Sequence, residues 1–185
     1  MLEWRNGNLR LVSGRVIGYQ SNSDGSTVFN MADGDSFTLP NAPNVLGFIT
    51  APKGLYAVAI VDDKEKVIGY KFWPHLYKHD RLVDDKGVPL IVISGMLCQN
   101  IENKTVQHPR TGKPSLRCSL SIFRGNKDEK SEFYRLHFDG LAAVAANGVY
   151  QNKAIVLALV RDLKDVTKKD NVLDYEAEGI SMDTL

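Results

Sequence analysis

The chain has 185 residues, 43% hydrophobic and 24% charged, with a formal charge of +1. That suits one or two globular domains with a real core, and leaves no apolar run long enough to span a membrane. The start, MLEWRNGNLR, lacks the apolar centre of a signal peptide, so the expectation is a cytoplasmic protein. Charge is uneven along the chain. Residues 1–85 carry 9 Lys+Arg and 10 Asp+Glu, residues 86–169 carry 14 and 7, and residues 170–185 carry none and 5. The middle block is basic enough to attract a polyanion.

Residues 9–73 read as short strands. LRLVSGRVIGYQ is a strand bent at Gly14 and Gly18, and SNSDGS is a turn. TVFNM and SFTL flank a turn at Ala32–Asp35, and VLGFIT is taken as another strand. LYAVAIVDD and KVIGYKFW form a hairpin. No helix is expected, so residues 1–80 form a small all-β domain of unknown role. PHLYKHDRLVDDKG, 74–87, reads as a linker or short helical turn and sets a boundary before residue 86. His75 and His79 have a spacing that could hold a metal on a helix, but two surface histidines in a linker are the simpler reading, and no metal is expected.

Beyond the boundary, VPLIVISGMLCQ is a strand and NIENKTVQHPRTGK, 100–113, a polar loop. PSLRCSLSIFR alternates, with Leu116, Cys118, Leu120 and Ile122 on one face and Arg117, Ser119, Ser121 and Phe123 on the other. FYRLHF alternates too, setting Phe133, Arg135 and His137 against Tyr134, Leu136 and Phe138. DGLAAVAANGVYQNK reads as a short helix capped near Asp139 or Gly140 and stopped at Asn147-Gly148. Its face at Leu141, Val144 and Ala145 is expected to pack on the sheet. AIVLALVR is a strand, DLKDVTKKD a second basic loop and NVLDYEAEGISM a last strand. The order is that of a five-stranded OB barrel, so residues 86–185 are expected to form an OB-fold domain. The fold class is thus all-β with one short helix.

Cys98 and Cys118 match no zinc or redox spacing and read as reduced core thiols. Val/Ile-Ser-Gly occurs at 12–14 and 93–95, too short a match to establish a repeat. Catalytic motifs are missing. Neither Ser-Gly pair sits in G-x-S-x-G, and there is no Walker A or H-E-x-x-H sequence. Asp62-Asp63 and Asp84-Asp85 fit turns. The chain is therefore read as non-enzymatic and without a cofactor.

VISGML, HPRTGKPSLRCSLSIFR, SEFYRLHFDGLAAVA and NKAIVLALVR, in that order and spacing, resemble the bacterial-type single-stranded DNA-binding protein family over about residues 90–182. The resemblance implies sequence-tolerant binding of single-stranded DNA in replication, recombination or repair, with RNA an open question. It places Phe133 on a stacking position. Asp139 departs from the family's apolar residue before the helix, and no Trp follows Trp73. The end, Met182-Asp183-Thr184-Leu185, does not match the family's acidic recruitment tail, so replication or repair proteins are expected as partners only by another route.

Single-strand binding needs flat side chains for bases and cations for phosphates. Phe133 and Phe123 can stack, while Arg117 and Arg135 can pair with phosphate or stack, with His137 on the same face. The loops add His108, Arg110 and Lys113 on one side and Lys164, Lys168 and Lys169 on the other. A protein-interaction module on the same barrel is the alternative, since one fold hosts many ligands. The strand 154–161 is apolar on both faces, and the resemblance implies that Val156, Ala158 and Val160 face the core. Ile155, Leu157 and Leu159 should then point out and need a cover, from the N-terminal unit or from a second copy in a homo-oligomer.

Overall fold

The computed structural model describes residues 9–50, 54–98, 101–108, 110–125, 130–168 and 172–185. The chain divides into two compact units, one ending at Leu90 and the other starting at Ile91.

The N-terminal unit begins with β1 (Leu9–Ser21), β2 (Thr27–Met31) and β3 (Ser36–Leu39), a meander joined by the polar turns that the sequence marks. A one-turn helix, α1 (Leu46–Ile49), comes next, and then β4 (Leu55–Asp62) and β5 (Val67–Pro74). The order in the sheet is β3-β2-β1-β4-β5, all antiparallel. Its core is Val12, Val16, Phe29, Met31, Phe37 and Leu39 with Leu55, Ala57, Ala59 and Val61. Phe29, Phe37 and Phe72 cluster, the first two with centroids 5.3 Å apart.

Two expectations fail in this unit. VLGFIT is helical at Leu46–Ile49, because an apolar run this short suits either state and Val45, Leu46 and Ile49 reach the core as a helical turn. Residues 74–87 hold a small hairpin, β6 (Tyr77–Lys78) with β7 (Arg81–Leu82), instead of a linker. His79 and Asp80 both have positive φ, 51° and 62°, as a two-residue hairpin turn requires. His75 and His79 therefore share no helix, and no metal-ligand group occurs among the described residues.

The C-terminal unit holds β8 (Ile91–Leu97), β9 (Glu102–Gln107), β10 (Pro114–Arg124) and β11 (Ser131–Asp139), then α2 (Leu141–Val149), β12 (Ile155–Asp165) and β13 (Val172–Thr184). Hydrogen-bonded neighbours run in a ring: β8 pairs β10, β10 pairs β11, β11 pairs β13 in parallel, β13 pairs β12, and β12 pairs β8. β9 adds to the free side of β10. It lies inside the stretch expected to be a loop. ENKTVQ shows no apolar alternation because an edge strand exposed on both faces needs none.

Inside the ring lie Ile93, Leu97, Cys118, Leu120, Ile122, Leu136, Phe138, Val156, Ala158 and Val160 among others. Cys118 is thus a buried free thiol, and Cys98 is half-buried. The expected inward face of β12 is observed. Ile155, Leu157 and Leu159 are outside this core yet only 7, 2 and 4% exposed in the single chain.

The face of α2 differs from the expected one. Ala143 and Ala146 are buried, while Leu141 and Val144 are 89 and 57% exposed. Small alanines let the helix approach the strands closely, which the larger side chains would prevent. The helix also runs through Asn147-Gly148 to Val149. No helix among the described residues is long and apolar enough to cross a membrane.

Candidate nucleic-acid interface

Side chains alternate across a strand, so the residues of β10 and β11 that leave the core form one outer face. The register sets Phe123 opposite Phe133, Ser121 opposite Arg135, Ser119 opposite His137 and Arg117 opposite Asp139. Phe123 and Phe133 touch, with ring centroids 4.9 Å apart and planes inclined by 56°. Both are half-buried. Beside them a cleft of about 530 Å³ is lined by Cys98, Lys104, Ser121, Phe133, Arg135 and His137, with Glu102 and Arg117 at its sides.

The cations of this face are not equivalent. Arg135 is exposed and has no ion-pair partner among the described residues. Arg117 is held: its Nε and Nη2 donate to Oδ1 and Oδ2 of Asp139, each at 2.8 Å. That bidentate pair holds the Asp139 carboxyl below its ordinary range. Asp139, which departs from the family pattern, thus occupies the Arg117 fork. Lys104 pairs with Glu102 at 3.0 Å, a contact exposed enough to be exchanged for a phosphate.

His137 is also engaged. Nδ1 lies 2.8 Å from the Ser119 hydroxyl and Nε2 lies 2.8 Å from Oε1 of Glu176. A serine, an imidazole and a carboxylate in line have the composition of an activated nucleophile. Ser119 and His137 stand side by side in mid-strand at matched register, so the line links β10, β11 and β13 through the ring. Sequence reading found no such pair, since Ser119 and Glu176 lie 18 and 39 residues from His137.

The acidic C-terminal segment borders the same face. β13 runs parallel to β11 with Asp174, Glu176 and Glu178 opposite Phe133, Arg135 and His137. Glu178 also holds Arg161 through the Arg161 Nε at 2.8 Å. A carboxylate rail therefore borders the aromatic and basic face on the β13 side.

Arg110 and Lys113 are exposed on the β9–β10 connection, and His108 is half-buried beside them. Lys164 is exposed near the end of β12, opposite Glu176, and Lys168 is exposed just beyond. Lys169 lies outside the described residues.

No family model matches the chain, and no curated protein matches it. Among solved structures, the small single-stranded DNA-binding protein from Streptomyces coelicolor is similar at 16% identity, over 52% of this chain and 91% of that one, with a TM-score of 0.38. The wild-type single-stranded DNA binding protein from Thermus aquaticus is similar at 11% identity, over 96% of this chain and 92% of that one, with a TM-score of 0.35. A replication protein A heterotrimer bound to single-stranded DNA gives 11%, 96%, 48% and 0.35 in the same terms. Likenesses this distant carry no functional weight, which falls to the chain's own geometry. The chain is similar in structure, at low sequence identity, to bacterial single-stranded DNA-binding proteins and to replication protein A.

Proposed function

We propose that the C-terminal unit is an OB-type barrel that binds single-stranded nucleic acid across the outer face of β10 and β11. The ring β8-β10-β11-β13-β12, with its one parallel pair and a helix between β11 and β12, the third and fourth of its strands in chain order, supports the barrel reading. In such barrels the second and third strands, with the first and last loops, form the ligand face. Here those strands are β10 and β11.

The observation that carries the reading is the Phe123–Phe133 pair with Arg135 beside it. Each ring offers a π-face to any base, so stacking is tolerant of sequence, at about 1–3 kcal/mol per base. Arg135, Lys104 and the cations Arg110, Lys113, Lys164 and Lys168 attract the phosphates. Their effects sum over contacts and weaken with salt. His137, clamped between Ser119 and Glu176, forms a rigid floor beside the stacking pair. Nothing in this action breaks a bond. The protein sequesters exposed strands, as replication, recombination or repair requires.

Anisotropy titrations of labelled dT oligomers, rU oligomers and duplex at several salt concentrations test the reading. Binding to dT that weakens steeply with salt is expected. No binding at low salt, or binding to duplex alone, overturns it. Size measurement in the same samples decides whether a homo-oligomer forms.

A further inference from the structure

The N-terminal unit repeats the architecture of the C-terminal one, position by position. Each has a three-strand meander, a helix and two more strands, and in each the neighbours run third-second-first-fourth-fifth; β9 is an addition to the second. Each first strand changes partner at the same place. β1 pairs β4 through Arg15 and β2 from Val16, while β8 pairs β12 through Met96 and β10 at Met96 and Leu97. Gly14 lies opposite Ala57 just before the change, and Gly95 lies opposite Val156.

Counting from these glycines aligns the two cores. Ala57, Ala59 and Val61 take the places of Val156, Ala158 and Val160. Through Val16–Met31 and Leu97–Ile122, Met31 and Phe29 take the places of Ile122 and Leu120. An irregularity in pairing with the fifth strand falls between Ile60 and Val61 in one unit and between Leu159 and Val160 in the other. The short Ser-Gly likeness at 13–14 and 94–95 is thus the visible part of a match in register.

The same alignment compares the outer faces. Ser36 and Thr38 stand where Arg135 and His137 stand, and Val28 and Asn30 stand where Ser119 and Ser121 stand. The positions of Phe123 and Phe133 have no counterpart, because the β2–β3 hairpin has already turned at Met31–Asp35. The first loop is the tight Asn22–Ser26 turn, against the long β8–β10 connection that carries β9, Arg110 and Lys113. From these differences we infer that the chain is a tandem of two units of one design, of which only the C-terminal one has a strand-binding face. Each chain thus holds one strand site, and the N-terminal unit is a structural copy. The inference rests on the function proposed for β10 and β11.

Titration of the full chain with dT oligomers of about 8–16 nucleotides, the span of one OB barrel, tests it. One oligomer per chain is expected. Ser36→Glu with Thr38→Glu should change Kd by less than about twofold, while Arg135→Glu at the matching position raises it roughly tenfold or more. Two oligomers per chain, or equal weakening by the two changes, overturns the inference and leaves the β10–β11 site standing. Absence of binding by the wild-type chain overturns both.

Discussion

The two units differ most where they are most alike. Both fold the same five-strand order around an apolar core, yet among the described residues only the C-terminal strands pair into a closed ring. The cause is the length of one hairpin. β4 and β5 are joined by a tight turn at Asp62–Lys66, so β5 starts at Val67. β12 instead runs on to Asp165, and β13 starts at Val172, which gives seven residues, Ser131–His137, a parallel partner in Val172–Glu178. The same extension brings Glu176 to His137 and lays the carboxylate rail beside the binding face. Closure and electrostatic shaping therefore come from one insertion on a shared scaffold.

The comparison breaks first at the aromatic pair, which has no N-terminal counterpart. Phe133→Ala should weaken dT binding by about 1–3 kcal/mol, the usual range for a stacked base. Phe123→Ala should do nearly as much, and the double variant less than the sum, because the rings touch. Anisotropy titration measures this, with thermal unfolding as a control on the fold.

The matched glycines sharpen the comparison. A Cβ on Gly95 would meet Cγ2 of Ile122 at 2.6 Å and the Phe123 carbonyl oxygen at 2.7 Å. Gly95→Ala should destabilise the chain by about 1–3 kcal/mol in denaturant titration. A Cβ on Gly14 would lie 3.4 Å from that of Met31, an ordinary contact. Gly14→Ala should stay within about 1 kcal/mol, of either sign. Equal costs would mean that the two bends are packed equally tightly, against this difference.

The charge on the face gives a smaller effect. Asp139→Asn releases the Arg117 fork and removes a carboxylate, so low-salt strand affinity should rise severalfold while stability falls by no more than about 1 kcal/mol. An unchanged affinity would mean that Arg117 lies off the strand path. The smallest effect is on pH dependence. The folded Asp139 carboxyl titrates below its ordinary value of 3.8 because Arg117 is bonded to it. Its contribution to stability is complete above that ordinary value and lost as pH falls through the lowered one. Acid unfolding of Asp139→Asn should therefore be slightly less steep below about pH 4.

The parts legible in the sequence were those with a strict period. Alternation in PSLRCSLSIFR and FYRLHF placed Phe123, Phe133, Arg135 and His137 on one face, whereas AIVLALVR is apolar on both faces and its inward register came only from the family resemblance. Parts without a period were not legible. β9 is polar on both faces, α1 is too short for a helical repeat to show, and α2 turns its alanines inward. The occupation of Arg117 and His137 depends on pairing across strands far apart in sequence. So does the likeness of the two units, which lies in register and shares few residues.

The central claim is that a single strand lies on the outer face of β10 and β11. Photocross-linking of the full chain to a dT oligomer carrying 5-iodouracil, with the adducts located by mass spectrometry, tests it most directly. The account predicts adducts at Phe123 or Phe133, lost at high salt and in competition with unlabelled dT. Adducts confined to α2, to the β13 rail or to residues 9–90 would contradict it.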